Sequence, residues 1–304
     1  MVTTDFLWLE ITGKCQLSCT HCYADSGPSG THGTMRLPDW VDAIDQAAAM
    51  GTRMVQFIGG EPILHPDLPA LVSHAVDADL RVEVYSNLVH VPDSMWEVFR
   101  HPQVQLATSF YTLDPAVHAQ ITGRNTMTRT LSNIRKARSY EIPLRVGLID
   151  VVDGQRIEDA KAVLSQFGVT DVGVDRMRLL GRPARTACDA SELCGRCGDG
   201  VAAILPDGTV TPCPLSRWLS AGRLPTTPLA ELAARARDIA EREIMPALPH
   251  ACRPPCEPQC NPGCDPSMTS PGGGDGCRPA QNCNPNQQCK PQVNPCKPDV
   301  SCRP

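Results

Sequence analysis

No stretch of this sequence is apolar for long enough to span a bilayer, and its start, MVTTDFLWLE, has neither a basic segment nor the apolar run of an export signal. A membrane span and secretion are thereby excluded, and the cytoplasm is the expected location. Runs of Lys or Arg are missing too. With 28 basic and 33 acidic residues the net charge is -5 and the pI about 5.9, so there is no electrostatic footprint for nucleic acid or an anionic membrane, and neither is an expected partner. What the chain does have is cysteine, 16 of them in 304 residues. Disulfides belong to oxidising compartments; without an export signal, metal ligation is the better reading of so many thiols. At 41% hydrophobic residues, the chain can bury one full-sized core and a small second module.

From Phe6 to Val174, short β-branched runs alternate with longer helical stretches, the pattern of βαβ units on a parallel sheet. Strands are expected at 6–11, 54–58, 81–85, 104–109, 145–151 and 171–174. Helices are expected at 38–50, 68–79, 93–100, 128–140 and 157–167, with Gly51 and Gly168 as C-terminal caps. Periodicity leaves two α/β architectures open, an open partial barrel and a doubly wound sheet. After Gly181 the composition shifts to Cys, Gly and Pro. One hairpin is expected there, 201–205 and 209–211 around the turn Pro206-Asp207-Gly208, followed by a helix over 228–245. The expected division is 1–180 for the α/β unit, 181–249 for a cysteine-rich module and 250–304 for a tail.

The densest chemical signal is Cys15-x3-Cys19-x2-Cys22, directly after the first expected strand. A cubane cluster has four irons, so three thiolates leave one iron open to a small-molecule chelator, whereas clusters that only carry electrons use four cysteines. Two alternatives stand beside this. Three small thiols at i, i+4 and i+7 could share the buried face of a short helix, although Gly13 and the loop-forming run from Ala24 to Gly33 speak against it. A zinc knuckle could recruit the adjacent His21 as its fourth ligand.

The segment resembles the radical S-adenosylmethionine superfamily, whose CxxxCxxC motif carries an aromatic residue or His before its last cysteine, as His21 does here. Gly59-Gly60-Glu61-Pro62 after the second strand is similar to the superfamily's GGEP turn, which contacts the methionine amino group of S-adenosyl-L-methionine. Two glycines also let backbone approach a ligand closely. The resemblance implies a partial (β/α)6 barrel, a [4Fe-4S] cluster on Cys15, Cys19 and Cys22 with one open iron, and cofactor contacts at the strand ends. Those contacts are Ser86 and Asn87 for the ribose and Ser109 for the carboxylate, with Arg145, Arg176 and Arg178 as candidate carboxylate partners. It further implies an external electron donor such as a flavodoxin or ferredoxin, and a 5′-deoxyadenosyl radical that removes hydrogen from a substrate.

A second set comprises Cys188, Cys194, Cys197 and, beyond the hairpin, Cys213. The spacing around Gly208 resembles the CxnGx4C hairpin that opens the twitch and SPASM modules, which implies an auxiliary [4Fe-4S] cluster. A zinc site with four thiolates is the alternative. A full SPASM module continues with CxxCx5CxxxC; here Cys252, Cys256, Cys260 and Cys264 follow at equal four-residue steps, which departs from that pattern. In the tail every one of nine cysteines begins a Cys-x-Pro triplet. Proline excludes an ordinary helix or central strand there, and with few large apolar side chains the tail is expected to be disordered unless metal folds it. Metal acquisition and substrate contact are its sharper readings.

By family analogy the expected substrate is a ribosomal peptide or peptide-derived product, although no leader-peptide-binding segment precedes Phe6. A radical epimerase or dehydrogenase of a small sugar or aminoglycoside-like metabolite is the alternative. A non-catalytic iron-sulfur or metal-binding protein is a third reading, against which the GGEP turn speaks, since a carrier has no need to grip an amino acid.

Overall fold

The computed structural model describes residues 4–184 and 189–248. Six parallel strands, β1 (Phe6–Thr12), β2 (Met54–Gly59), β3 (Arg81–Tyr85), β4 (Val104–Phe110), β5 (Leu144–Asp150) and β6 (Asp171–Arg176), lie side by side in chain order. A doubly wound sheet would reverse its strand order at a switch point. Here β1 to β6 advance in one direction without reversal, so every crossover lies on the same face and the sheet curls into a partial (β/α)6 barrel. Each strand lies within two residues of its expected bounds.

Alternation along the strands divides the barrel. Leu7, Leu9, Ile11, Val55, Phe57, Val82, Val84, Leu106, Val146 and Leu148 pack outward against the helices in one continuous core. Those helices are α1 (Leu37–Ala49), α2 (Leu68–Asp77), α3 (Asp93–Phe99), α4 (Pro115–Thr122), α5 (Met127–Ser139) and α6 (Ile157–Gln166). The opposite strand face carries polar groups. The buried Glu83 carboxylate accepts from Arg145 Nε and Nη2, each at 2.6 Å, from Gln105 Nε2 at 2.6 Å and from Gln56 Nε2. Burial alone would raise its pKa; the Arg145 charge and these hydrogen bonds outweigh that and hold it below the usual carboxylate range.

Helix α4 has no counterpart among the expected elements. Asp114 caps its start, accepting from the Ala116 and Val117 amides at 2.8 and 3.1 Å, Pro115 follows at the first helical position, and Gly123 closes it in the left-handed conformation. Asp-Pro before an apolar run and Gly after it were the legible signals. The last carbonyls of α4 are not spent on water: Ile121 O and Thr122 O accept from the Thr20 and Ser18 amides at 2.8 and 3.1 Å, which ties the cysteine-bearing loop to the helix terminus.

The expected hairpin forms as β7 (Val201–Ile204) and β8 (Thr209–Thr211), joined by β9 (Gly222–Arg223). β7 pairs parallel to β1, giving one nine-stranded sheet. The change of composition near residue 181 is therefore not a break in the sheet. α7 (Leu229–Ile239) continues into a wider turn over Ala240–Ile244 instead of running unbroken to 245. Cys188 and the Cys-x-Pro tail lie outside the described residues. Among the described residues no helix is long and apolar enough to cross a membrane.

Candidate functional site

The loop after β1 folds back on itself, with the Cys15 amide donating to Gly27 O at 3.0 Å and the Gly13 amide to Thr31 O at 2.8 Å. From Cys15 to Cys22 it contains no helix, only a single turn in which the Cys22 amide donates to Cys19 O at 3.3 Å, so the reading of three thiols on a helix face is corrected: the other backbone hydrogen bonds go to Gly27, Ile121 and Thr122 instead of along a helix. Cys15 is buried, Cys19 and Cys22 half-buried, and all three line one cavity at the carboxyl ends of the strands.

Several N–H groups face the sulfurs. The Leu17 amide donates to Cys15 Sγ at 3.4 Å, Asn87 Nδ2 to the same sulfur at 3.7 Å, and the Ser26 amide to Cys22 Sγ at 3.3 Å. Burial pushes the Cys15 and Cys19 thiols up to about 12, and the neighbouring thiolates push in the same direction. A cation bound among the sulfurs would favour their thiolate forms, and binding it would release protons. Among the described residues no three His, Cys, Asp or Glu side chains are arranged around one ion-sized point. A cubane takes its cysteines on separate irons, so thiols spread around a common space, with N–H donors behind them, suit it. His21 lines the cavity with its ring 5.0 Å from that of Tyr111, and burial, with the Arg182 charge, lowers its pKa to about 4.

The GGEP turn is stitched to this loop. The Gly60 amide donates to Thr12 O at 2.7 Å and the Glu61 amide to Lys14 O at 2.9 Å. A Cβ on Gly59, whose φ is +142°, would meet Thr12 O at 2.2 Å, and one on Gly60 would meet Lys14 O at 2.4 Å. Both glycines also line the cavity. Their close approach is thus first to the cysteine loop, with the opposite side left to a ligand.

Glu61 is buried and lies outside the cavity wall. Its carboxylate accepts from the Asn87 amide at 2.8 Å, from the Ile63 amide at 3.1 Å and from Ser86, and burial raises its pKa to about 7 despite those bonds. It latches the end of β2 to the end of β3, holding Asn87 against Cys15. Pro62 and Ser86 are likewise behind the wall; Asn87 and Ser109 are in it, and Ser109 Oγ lies 2.8 Å from Tyr85 OH. Of the arginines, Arg145 is engaged by Glu83, while Arg176 and Arg178 reach the wall, the former on Glu192 at 2.6 Å and the latter on both Asp175 oxygens at 3.0 Å.

Arg182 was not singled out by its sequence surroundings. Its guanidinium donates to Asp25 Oδ1 at 3.0 Å, to Ser26 O at 2.7 Å and to Cys19 O, and its amide to Cys22 O at 2.9 Å. It clamps the cysteine loop from 157 residues away in sequence. Tyr111, His118, Thr126 and Thr130 also line the cavity unannounced; they come from β4 and the α4–α5 region, where helix periodicity carries no mark of a cavity.

Cys194, Cys197 and Cys213 gather elsewhere. The hairpin returns Cys213 to Cys197, Sγ to Sγ 2.8 Å, and Cys197 also hydrogen-bonds Cys194. Those thiol hydrogen bonds, together with burial, push Cys197 up; burial raises Cys213 too, but its bonds to Cys197 and Ser216 bring it below the ordinary thiol value. None of the three lines the cavity.

A family model described as Radical SAM superfamily matches residues 9–167. Among curated relatives, the chain is 28% identical over 176 residues to a PqqA peptide cyclase of Streptomyces rochei, a match covering 56% of this chain and 46% of that protein. It is 29% identical over 139 residues to an AdoMet-dependent heme synthase of Methanosarcina barkeri, covering 45% and 40%. The chain thus spans about half the length of the curated relatives it matches. Among solved structures, Streptococcus suis SuiB bound to precursor peptide SuiA superposes with a TM-score of 0.66 at 13% identity, over 77% of this chain and 65% of that one. Native anSMEcpe with bound AdoMet and Cp18Cys peptide gives 0.59 at 12%, over 77% and 81%. At such identities the likeness is one of fold.

Proposed function

The chain belongs to the radical SAM superfamily and is a radical SAM enzyme, and from that premise we propose that it acts on a peptide, with Cys15, Cys19 and Cys22 holding the family's [4Fe-4S] cluster. When bound, the reduced cluster and S-adenosyl-L-methionine at its open iron supply a 5′-deoxyadenosyl radical that takes a hydrogen atom from the substrate. The observation that carries the assignment is three thiols on one cavity wall with amide donors from Leu17 and Ser26 directed at two of them. Such donors stabilise sulfur charge and orient the ligands.

The other residues serve position. Gly59 and Gly60 let backbone form part of the cavity wall, Asn87 and Ser109 would offer polar groups to the cofactor, and Arg176 and Arg178, held by Glu192 and Asp175, would bring positive charge toward its carboxylate. Glu61, Pro62 and Ser86 act from behind, through the latch on Asn87. The peptide class is supported by the names of the cyclase relatives and by the peptide-bound fold neighbour. Cys194, Cys197 and Cys213, with Cys188 as fourth ligand, are proposed to hold an auxiliary [4Fe-4S] cluster in a module over 181–249 attached to the 1–180 barrel. An external flavodoxin or ferredoxin in the cytoplasm would supply electrons. The test is anaerobic reconstitution followed by reduction with S-adenosyl-L-methionine present. Formation of 5′-deoxyadenosine is expected from the intact chain and none from the variant with Cys15, Cys19 and Cys22 all replaced by Ala; equal yields from both would overturn the assignment.

A further inference from the structure

The motif that barrel and hairpin leave unused is the Cys-x-Pro repeat. Its cysteines stand at 252, 256, 260, 264, 277, 283, 289, 296 and 302, each with proline two residues on. The triplet is constant; the interval between successive thiols is not. A metal site is specified by the spacing of its ligands; the first four thiols stand at four-residue steps and the other five follow at intervals of thirteen, six or seven, so no single ligand spacing runs through the nine. A peptide processed one side chain at a time is specified by what surrounds that side chain, and there the repeat is strict. Proline fixes its own φ, and the residue before it is driven to extended backbone. A segment of this composition has less ordering entropy to lose on entering a groove than an ordinary chain.

The place where this segment leaves the described fold matters as much. Leu248 is buried in an apolar cluster with Trp8, Ile58 and Leu215, three residues that also line the cavity. A proline-rich chain extends by about 3.1 Å per residue, so the stretch from Leu248 to Cys277 spans up to roughly 90 Å, whereas a body of the described size has a radius of gyration of about 18 Å. Every triplet from Cys277 onward is therefore within reach of the cavity, at the high effective concentration that tethering confers.

We propose that residues 252–304 are this chain's own substrate segment, whose Cys-x-Pro triplets enter the cavity in cis. This rests on the radical reading of the preceding subsection and deepens it by naming the peptide. The reacting step is hydrogen-atom transfer: one C–H bond of a tail cysteine breaks and one C–H bond forms in 5′-deoxyadenosine.

Two measurements on the full-length reconstituted chain test it. In the first, Met177 in the cavity wall is replaced by the photo-cross-linker p-benzoylphenylalanine, and equal parts of unlabelled and nitrogen-15-labelled chains are irradiated together. Cross-links to peptides from 252–304 within one chain are expected. Exchanging all nine triplet prolines for alanine should lower their yield about tenfold, because the preorganised backbone is lost, and a synthetic peptide of residues 294–300 in excess should compete. Cross-links between chains, none to the tail, or a yield indifferent to proline would overturn the proposal. In the second, chains carrying cysteine deuterated at its α and β carbons are reduced with S-adenosyl-L-methionine. Deuterium in 5′-deoxyadenosine supports the proposal, and 5′-deoxyadenosine formed without label overturns it. Absence of any 5′-deoxyadenosine would count against the radical reading instead, and the cross-links would then decide whether the tail occupies the cavity.

Discussion

Two groups of thiols sit in one sheet and differ in what they face. Cys15, Cys19 and Cys22 follow β1 and border the cavity, with N–H donors directed at two of the sulfurs. Cys197 and Cys213 face each other at 2.8 Å inside an apolar cluster that contains Trp8, Leu215 and Ile244. The ligand chemistry is the same; the packing is not. The proposed cluster must admit a small molecule and so needs one side kept open; the first loop gives its backbone hydrogen bonds to β2's GGEP turn, α4 and Arg182 and leaves its sulfurs on the cavity wall. In the second group Cys197 and Cys213 are buried and Cys194 half-buried, away from the cavity, which suits a site that stores charge or holds structure.

The comparison would break most visibly under single cysteine substitutions. Cys15→Ala, Cys19→Ala or Cys22→Ala should bring 5′-deoxyadenosine formation to background, whereas Cys213→Ala should leave it measurable; equal loss in both, followed by chromatography of the cofactor products, would erase the distinction. Metal analysis sharpens it further. In the variant lacking the first three cysteines, about four irons and four acid-labile sulfides per chain should remain on the second group, and zinc without sulfide would make that group a structural zinc site.

Gly60→Val should act on the first group alone. The new side chain meets the Lys14 carbonyl, and overpacking of this kind costs about 1–3 kcal/mol, a fall of several degrees in Tm. Iron loading of the cavity cluster should drop with it, while iron on the second group stays. An unchanged Tm and loading would mean the turn does not hold the loop.

The smallest effect concerns the cavity wall. Burial lowers the His118 pKa to about 4. Between about 6.5 and that value the unfolded chain binds a proton that the folded one refuses, so stability falls as pH drops through this window. His118→Gln should flatten that part of the Tm profile by a few degrees, measured by scanning calorimetry; parallel profiles would show that the imidazole is not the group responsible.

Much of this molecule is written locally. Six strands and the hairpin follow from alternation and turn residues, and the cysteine spacing directly after β1 is a feature of eight consecutive residues. What escaped was carried by residues distant in sequence. The α4 helix was overlooked although Asp114, Pro115 and Gly123 marked it, because its short apolar pattern is weak beside those of its neighbours. Arg182 stands among residues of no evident periodicity, and its three acceptors all lie more than 150 residues upstream. The Glu61 carboxylate accepts from the Asn87 amide, 26 residues on, as well as from nearby Ile63, a link between two strand ends that spacing does not disclose.

By itself the sequence determined the alternation of strands and helices and the family, since periodicity and motif spacing are properties of neighbouring residues. The tertiary structure alone decided that the sheet winds in one direction, that the hairpin joins it beside β1, and which side of the cysteine loop stays open. Those depend on which distant backbone groups satisfy one another's hydrogen bonds, and a buried amide accepts whichever carbonyl the fold brings to it.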